Sequence, residues 1–102
     1  MYRARDQLAN EEWIEAIEAV ADHLDLNETA RSRATDVFLS NLPDEQRSKR
    51  AVLAASVYVG ALLAGDRRSQ SVVAEAADVS RLTVQQRWKD LLEESGFDAP
   101  EW

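Results

Sequence analysis

Apolar residues in this chain recur every three or four positions and almost never at every second one. Over Asn10–Leu26, Trp13, Ile17, Val20, Ala21 and Leu24 follow i, i+4, i+7, i+8 and i+11, which places them on one face of a helix. Glu11, Glu15, Glu18 and Asp22 occupy the opposite face, and Asn10 is a suitable N-cap. A second helix is expected from a cap at Asn27 to about Asn41. Ala34, Val37, Phe38 and Leu42 form its inward side, and Pro43 stops it.

The third helix is expected from Asp44 or Gln46 to about Ala64, with Gly65 as its stop. From Ala51 it reads AVLAASVYVGALLA, apolar almost all round, the pattern of a helix wrapped by others. Gly60 inside it costs about 1 kcal/mol of helix propensity relative to alanine, so close approach of a neighbouring helix is the expected reason for it. A short fourth helix, Gln70–Ala77, is capped by Ser69. Asp78–Val79 allows only a tight turn, and Ser80 caps a fifth helix. There Val84, Trp88, Leu91 and Leu92 form a buried stripe, and Gly96 ends it. The last two helices have the layout of a helix-turn-helix. No alternating segment with hairpin chemistry occurs. The expectation is an all-α fold of five helices in one domain over residues 1–102, with an N-terminal arm (1–9) and a C-terminal tail (96–102) in which Phe97 or Trp102 docks or frays.

Composition narrows the chemistry. Cysteine is absent, which removes disulfides, thiol catalysis and cysteine-ligated metal sites, and one histidine, His23, leaves little for a metal cluster. His23 is read as a surface residue at a helix end. No phosphate-binding glycine loop or nucleophile elbow occurs, so no enzyme activity and no cofactor are expected. The N-terminus is polar and the longest apolar run is too short for a bilayer, which needs about 20 residues; a cytoplasmic protein without membrane contact is expected.

The formal net charge is −7, but it is segregated. Residues 1–30 carry eight acids and two bases, net −6; residues 31–89 carry six acids and ten bases, net +4; residues 90–102 carry five acids and no base, net −5. Local field governs a contact surface, so an acidic chain is compatible with a basic binding face. Nineteen acids set against ten arginines and two lysines resemble the composition of salt-loving archaeal proteins, with chance in a short acidic chain as the alternative.

The stretches Ala54–Gly60 (AASVYVG) and Arg68–Leu91 (RSQSVVAEAADVSRLTVQQRWKDL) carry a family resemblance. The first resembles the central-helix signature of the transcription factor IIB family of archaea and eukaryotes. The second is similar to the last two helices of that family's repeat, in particular its DNA-reading copy. From Asn10 to Leu42 the likeness rests on helix pattern and order. The resemblance implies a five-helix cyclin-like repeat with a central buried third helix and a C-terminal helix-turn-helix. Family members also carry a cysteine-ligated zinc ribbon, a reader loop and a second repeat. With no cysteine and one repeat, this sequence is expected to serve a regulatory or accessory role rather than the whole initiation task.

With Val84 inward, 100° per residue puts Leu82, Gln86, Lys89 and Glu93 outward, flanked by Gln85, Thr83 and Asp90. Arg81, Leu82, Thr83, Gln85 and Gln86 would then face a major groove: glutamine can bond adenine at two points, and leucine or threonine methyls can touch thymine. Arg67, Arg68, Arg87 and Lys89, with the amides near Ser69, are candidate phosphate contacts. The resemblance implies base-reading roles for Leu82 and Gln85; an arginine is often found in the family where Gln85 stands, so the usual promoter-element preference is not expected to carry over. Asp90, Glu93 and Glu94 limit how deep the helix can lie.

The expected partner is duplex DNA, bound weakly by one copy and more tightly by a homodimer or beside a basal factor. The alternative is a protein-interaction module docking on a basal transcription factor, RNA polymerase or another regulator, with Leu82 as an anchor. A purely structural fragment is a third possibility. For each basic group a solvated polar surface stands as the plain alternative. This includes the run Arg47, Lys49 and Arg50, whose charges oppose the helix dipole by about 0.3–1 kcal/mol each. The acidic face of the first helix is read as solvated, or else as facing a basic partner.

Overall fold

The computed structural model describes residues 10–42 and 46–96. It contains five helices: α1 (Glu11–Leu24), α2 (Glu28–Ser40), α3 (Gln46–Leu63), α4 (Gln70–Ala77) and α5 (Arg81–Glu94). The expected arm, the stop at Pro43 and the tail beyond Gly96 lie outside the described residues.

Local chemistry accounts for most of the boundaries. Three of the expected caps are made: Asn27 Oδ1 accepts from the Ala30 N–H at 2.8 Å, Ser69 Oγ from the Val72 N–H at 3.1 Å, and Ser80 Oγ from the Thr83 N–H at 3.2 Å. Asn10 differs. Its side chain makes no cap bond; its Oδ1 accepts from Lys49 Nζ at 3.1 Å, and its backbone oxygen receives the Trp13 and Ile14 N–H groups. The amide side chain therefore ties α1 to α3 instead of closing its own helix.

Three helices end in the same way. Asp25, Gly65 and Asp78 adopt left-handed backbone with φ of 55°, 71° and 61°. At each end this residue's N–H bonds the carbonyl three positions back (Asp22, Leu62 and Glu75), and the next residue's N–H reaches the carbonyl five positions back: Leu26 to Ala21, Asp66 to Ala61 and Val79 to Ala74. This pair of reversed bonds satisfies carbonyls that a helix end leaves open, and it suits a residue that tolerates positive φ. At Asp25 it ends α1 two residues before the expected Leu26, because Leu26 folds back into the core and is only 4% exposed.

α3 is central, as its composition requires. Every residue from Val52 to Ala61 is buried, and α3 packs on all four other helices. The buried apolar residues join in one cluster. The α2–α3 pairing is the most extensive, and Gly60 is the reason it can be so close. A Cβ built there would lie 2.6 Å from the Ala34 nitrogen, 2.7 Å from the Ala30 oxygen and 2.8 Å from the Ala34 Cα. The helices thus meet backbone to backbone, which only glycine permits.

Polar ties fix the periphery. Arg31 of α2 bonds Glu18, Asp22 and the Leu26 carbonyl, joining α2 to the acidic face of α1. Two of the four acids of that face therefore hold an internal cation, which the pattern along α1 alone does not reveal. The guanidinium charge is stabilised there, raising the Arg31 pKa, first by the Asp22 bond and then by the Glu18 bond.

Candidate nucleic-acid interface

α5 is positioned from below. Its inner stripe is Val84 (0% exposed), Trp88 (4%), Leu91 and Leu92, as the helical period requires. Tyr58 of α3 meets the Trp88 ring edge to face, with centroids 5.4 Å apart and planes at 65°, a favoured aromatic geometry. Arg50 Nη1 donates to the Ala77 carbonyl at 3.0 Å, and its guanidinium stands 5.8 Å from the Trp13 ring. The turn between α4 and α5 is thereby fixed to the central helix. Of the basic run at the start of α3, Lys49 and Arg50 bond other elements of the fold.

The outer surface of α5 carries Arg81, Leu82, Gln85, Gln86, Arg87 and Lys89, all exposed. Leu82 is 53% exposed and, with Val72 at 45%, is one of two large apolar residues so exposed among the described residues. Thr83 is half-buried, and its hydroxyl is 2.9 Å from Ser80 Oγ, which draws it into the helix cap. Arg81 Nη1 donates to Gln85 Oε1 at 3.1 Å along the same face. The Lys89 ammonium stands 5.6 Å from the Trp88 ring centroid. Three cations, Arg81, Arg87 and Lys89, fall within the first two and a half turns; the exposed acids Asp90, Glu93 and Glu94 follow. There is no continuous positive strip along the helix.

The second group of candidates sits at the other end of α4. α4, eight residues and about 12 Å long, lies between the two groups in the chain. Ser69 caps α4, and Arg67 is exposed beside it. Arg68 faces inward. Its Nε donates to the Leu24 carbonyl at 3.2 Å, Nη2 to the Asp25 carbonyl at 3.2 Å, and Nη1 to Asp66 Oδ1 at 2.8 Å and to the Asp66 backbone oxygen at 3.0 Å. Asp66 in turn accepts the Asn27 N–H at 2.9 Å through Oδ2. The Asp66 pKa is held below the ordinary carboxylate value, first by the Arg68 guanidinium and then by the Asn27 amide. Arg68 is thus a clamp between the end of α1 and the α3–α4 link.

Val72 was not evident from the pattern as a surface residue. It borders an open notch of about 260 Å³ with His23, Leu24, Arg68, Glu75 and Ala76. Its only signal is register: in the pair Val72–Val73, one valine alone can take the buried face of a short helix, and Val73 does so at 0% exposure. Among the described residues no group of His, Asp or Glu side chains is arranged to hold a metal ion, and no helix is long and apolar enough to cross a membrane.

A family model described as the transcription factor TFIIB repeat matches residues 8–94. The chain is similar to the transcription initiation factor IIB of Pyrococcus abyssi, at 36% identity over 83 residues, covering 78% of this chain and 28% of the relative. It is similar to transcription initiation factor IIB 2 of Thermococcus kodakarensis at 30% identity over 90 residues, covering 85% of this chain and 29% of the relative. The factor of Archaeoglobus fulgidus is 42% identical over 52 residues, covering 51% of this chain and 16% of the relative. The chain therefore spans less than a third of the length of these curated relatives. A cyclin-like five-helix order with a wrapped central helix, and a family match running from before α1 to the last turn of α5, place this chain in the TFIIB repeat family.

Proposed function

We propose that this repeat is a transcription-associated, regulatory element that binds duplex DNA through α4 and α5. One observation carries the proposal: a capped helix held by Val84 and Trp88 presents Arg81, Leu82, Gln85, Gln86, Arg87 and Lys89 outward together. The N-terminal part of such a helix enters the major groove. Arg67, Arg87, Lys89 and the first amides of α4 near Ser69 meet phosphates, which position the protein without reading sequence. Thr83 contributes through the cap that orients the helix, and Arg68 through the clamp that holds α4 in place, so neither is needed as a direct contact. The acids of the last turns keep that end of α5 out of the groove.

Binding by one copy would be weak, and two symmetric copies on half-sites about 34–36 Å apart would strengthen it. The acid-rich composition fits a high-salt cytosol, where screening confines the phosphate term to close contacts. The test is titration of labelled duplexes over a range of salt. Arg87→Ala and Lys89→Ala should each weaken binding to all sequences and lower the salt slope by about 1. Absence of binding at low salt refutes the proposal.

A second reading has its own support. Leu82 is half-exposed and large, and the exposed acids of the last turns of α5, Asp90, Glu93 and Glu94, suit a protein surface better than a phosphate backbone. In that reading α5 docks on a basal transcription factor, RNA polymerase or another regulator, and Leu82→Ala abolishes the complex.

A further inference from the structure

We infer that this chain associates with itself head to tail, the Leu82 side chain of one copy seating in the notch between α1 and α4 of the next. The contact needs no DNA and differs from a symmetric pair on half-sites. The carrying observation is that the two large apolar side chains exposed among the described residues stand on surfaces of opposite charge. Val72, 45% exposed, borders the notch; Leu24 of α1 and Ala76, one turn further along α4, complete its apolar lining. The polar lining is His23, Arg68 and Glu75. The Arg68 charge is already answered, because its guanidinium bonds the Asp66 carboxylate as well as the Leu24 and Asp25 carbonyls. Glu75 is exposed and leaves the notch acidic, and Asp25 and Asp78, exposed at the ends of α1 and α4, add charge of the same sign.

Leu82 is the counterpart. It stands 53% exposed at the start of α5, with Arg81 exposed beside it and Lys89 two turns on along the same face. An apolar knob rimmed by cations therefore matches an apolar notch rimmed by acids. The notch is open, and its volume of about 260 Å³ has room for a leucine side chain. Seating there takes Leu82 and Val72 out of water together and sets Arg81 against Glu75. Like surfaces do not match: two Leu82 faces would meet cation to cation, and two notches acid to acid. The contact is therefore heterologous, each copy giving its knob to one neighbour and its notch to another, which builds a ring or an open chain. A single anchoring side chain makes this a small, transient contact.

The experiment is sedimentation equilibrium at low salt, without DNA, from about 10 μM to about 1 mM protein, the range suited to a weak contact. The proteins are the wild type, Leu82→Asp, Val72→Asp and Glu75→Lys. All three positions are exposed, and an acid in the first turn of α4 or α5 suits the helix dipole, so the variants should keep the wild-type helical circular dichroism. The wild type should rise above the monomer mass with concentration. Leu82→Asp and Val72→Asp should each weaken association by roughly 10- to 150-fold, the worth of burying one such side chain. Glu75→Lys keeps the apolar lining and should also weaken it. The decisive sample is a mixture of Leu82→Asp, which keeps its notch, with Val72→Asp, which keeps its knob. The two should form one-to-one pairs that neither forms alone, and grow no further. A mixture that stays monomeric while the wild type associates shows a symmetric contact and overturns the inference. So does undiminished association in any of the single variants. A wild type that is monomeric throughout overturns it as well and leaves the notch to a segment of another protein.

Discussion

Gly60→Ala is the sharpest test of the packing that places α5. On an isolated helix the change would be favourable, by about 1 kcal/mol of propensity. In the fold, the new methyl group would stand 2.6–2.8 Å from main-chain atoms of Ala30 and Ala34. Restoring ordinary contact at 3.4 Å requires α2 and α3 to part by roughly 0.6–0.8 Å. A radial gap of that size forfeits about a quarter to a half of the dispersion attraction across the contact. Overpacking in cores costs about 1–3 kcal/mol, and the upper end applies where backbone is the obstacle and no rotamer can yield. The net loss should be about 2 kcal/mol, or roughly 8–16 °C in Tm for a chain of this size. Thermal and urea unfolding followed by helical circular dichroism measure it. Two controls separate the causes. Ala34→Gly should not rescue the variant, because the obstructing atoms are main chain. Gly65→Ala, with φ of 71° and nothing within 4 Å of the new methyl, should lose only about 1 kcal/mol through its left-handed backbone. A Gly60→Ala protein as stable as the wild type would refute the close α2–α3 approach.

Three further outcomes follow from individual contacts. Ser56 is wholly buried and its hydroxyl has no partner, so Ser56→Ala should raise stability by about 1 kcal/mol in urea titration; a loss would show that the hydroxyl is satisfied. Arg68→Ala should lower stability by about 1–2 kcal/mol, because it opens the carbonyls of Leu24 and Asp25, while leaving the salt slope of DNA binding unchanged. A salt slope lowered by about 1 would instead make Arg68 a phosphate contact. Asp66 has a depressed folded-state pKa, so its contribution is complete above the ordinary value of 3.8 and is lost as pH falls through the lower folded value. The Tm difference between wild type and Asp66→Asn should therefore be level at neutral pH and shrink only under acid conditions. A difference that already shrinks between pH 7 and 5 would contradict this.

Local chemistry made much of the molecule legible in advance. Asn27, Ser69 and Ser80 cap helices because a short oxygen-bearing side chain meets its own helix's free N–H groups within three residues. The stripe Val84–Trp88–Leu91–Leu92 and the all-round apolar run of α3 declare their burial by period alone, and from them the outward direction of Gln85 and Gln86 follows. Gly60 was legible as a site of close packing, because an internal helical glycine has few other reasons to persist.

Long-range placement could not be read in this way. Nothing local distinguishes Arg68, a clamp on α1, from Arg67 beside it; the difference arises because the end of α1 presents the Leu24 and Asp25 carbonyls to one of them. The same holds for Arg31, which pairs with two of the four acids of the α1 face, 9 and 13 residues away in the chain, and for Lys49 and Arg50, whose partners Asn10 and Ala77 lie 39 and 27 residues away. The period and the caps of a helix arise from neighbours within one or two turns, so they are written into the order of residues. The partner of a long charged side chain depends on which helix ends the packed core brings within its reach, and that is settled only when α1, α3 and α4 meet.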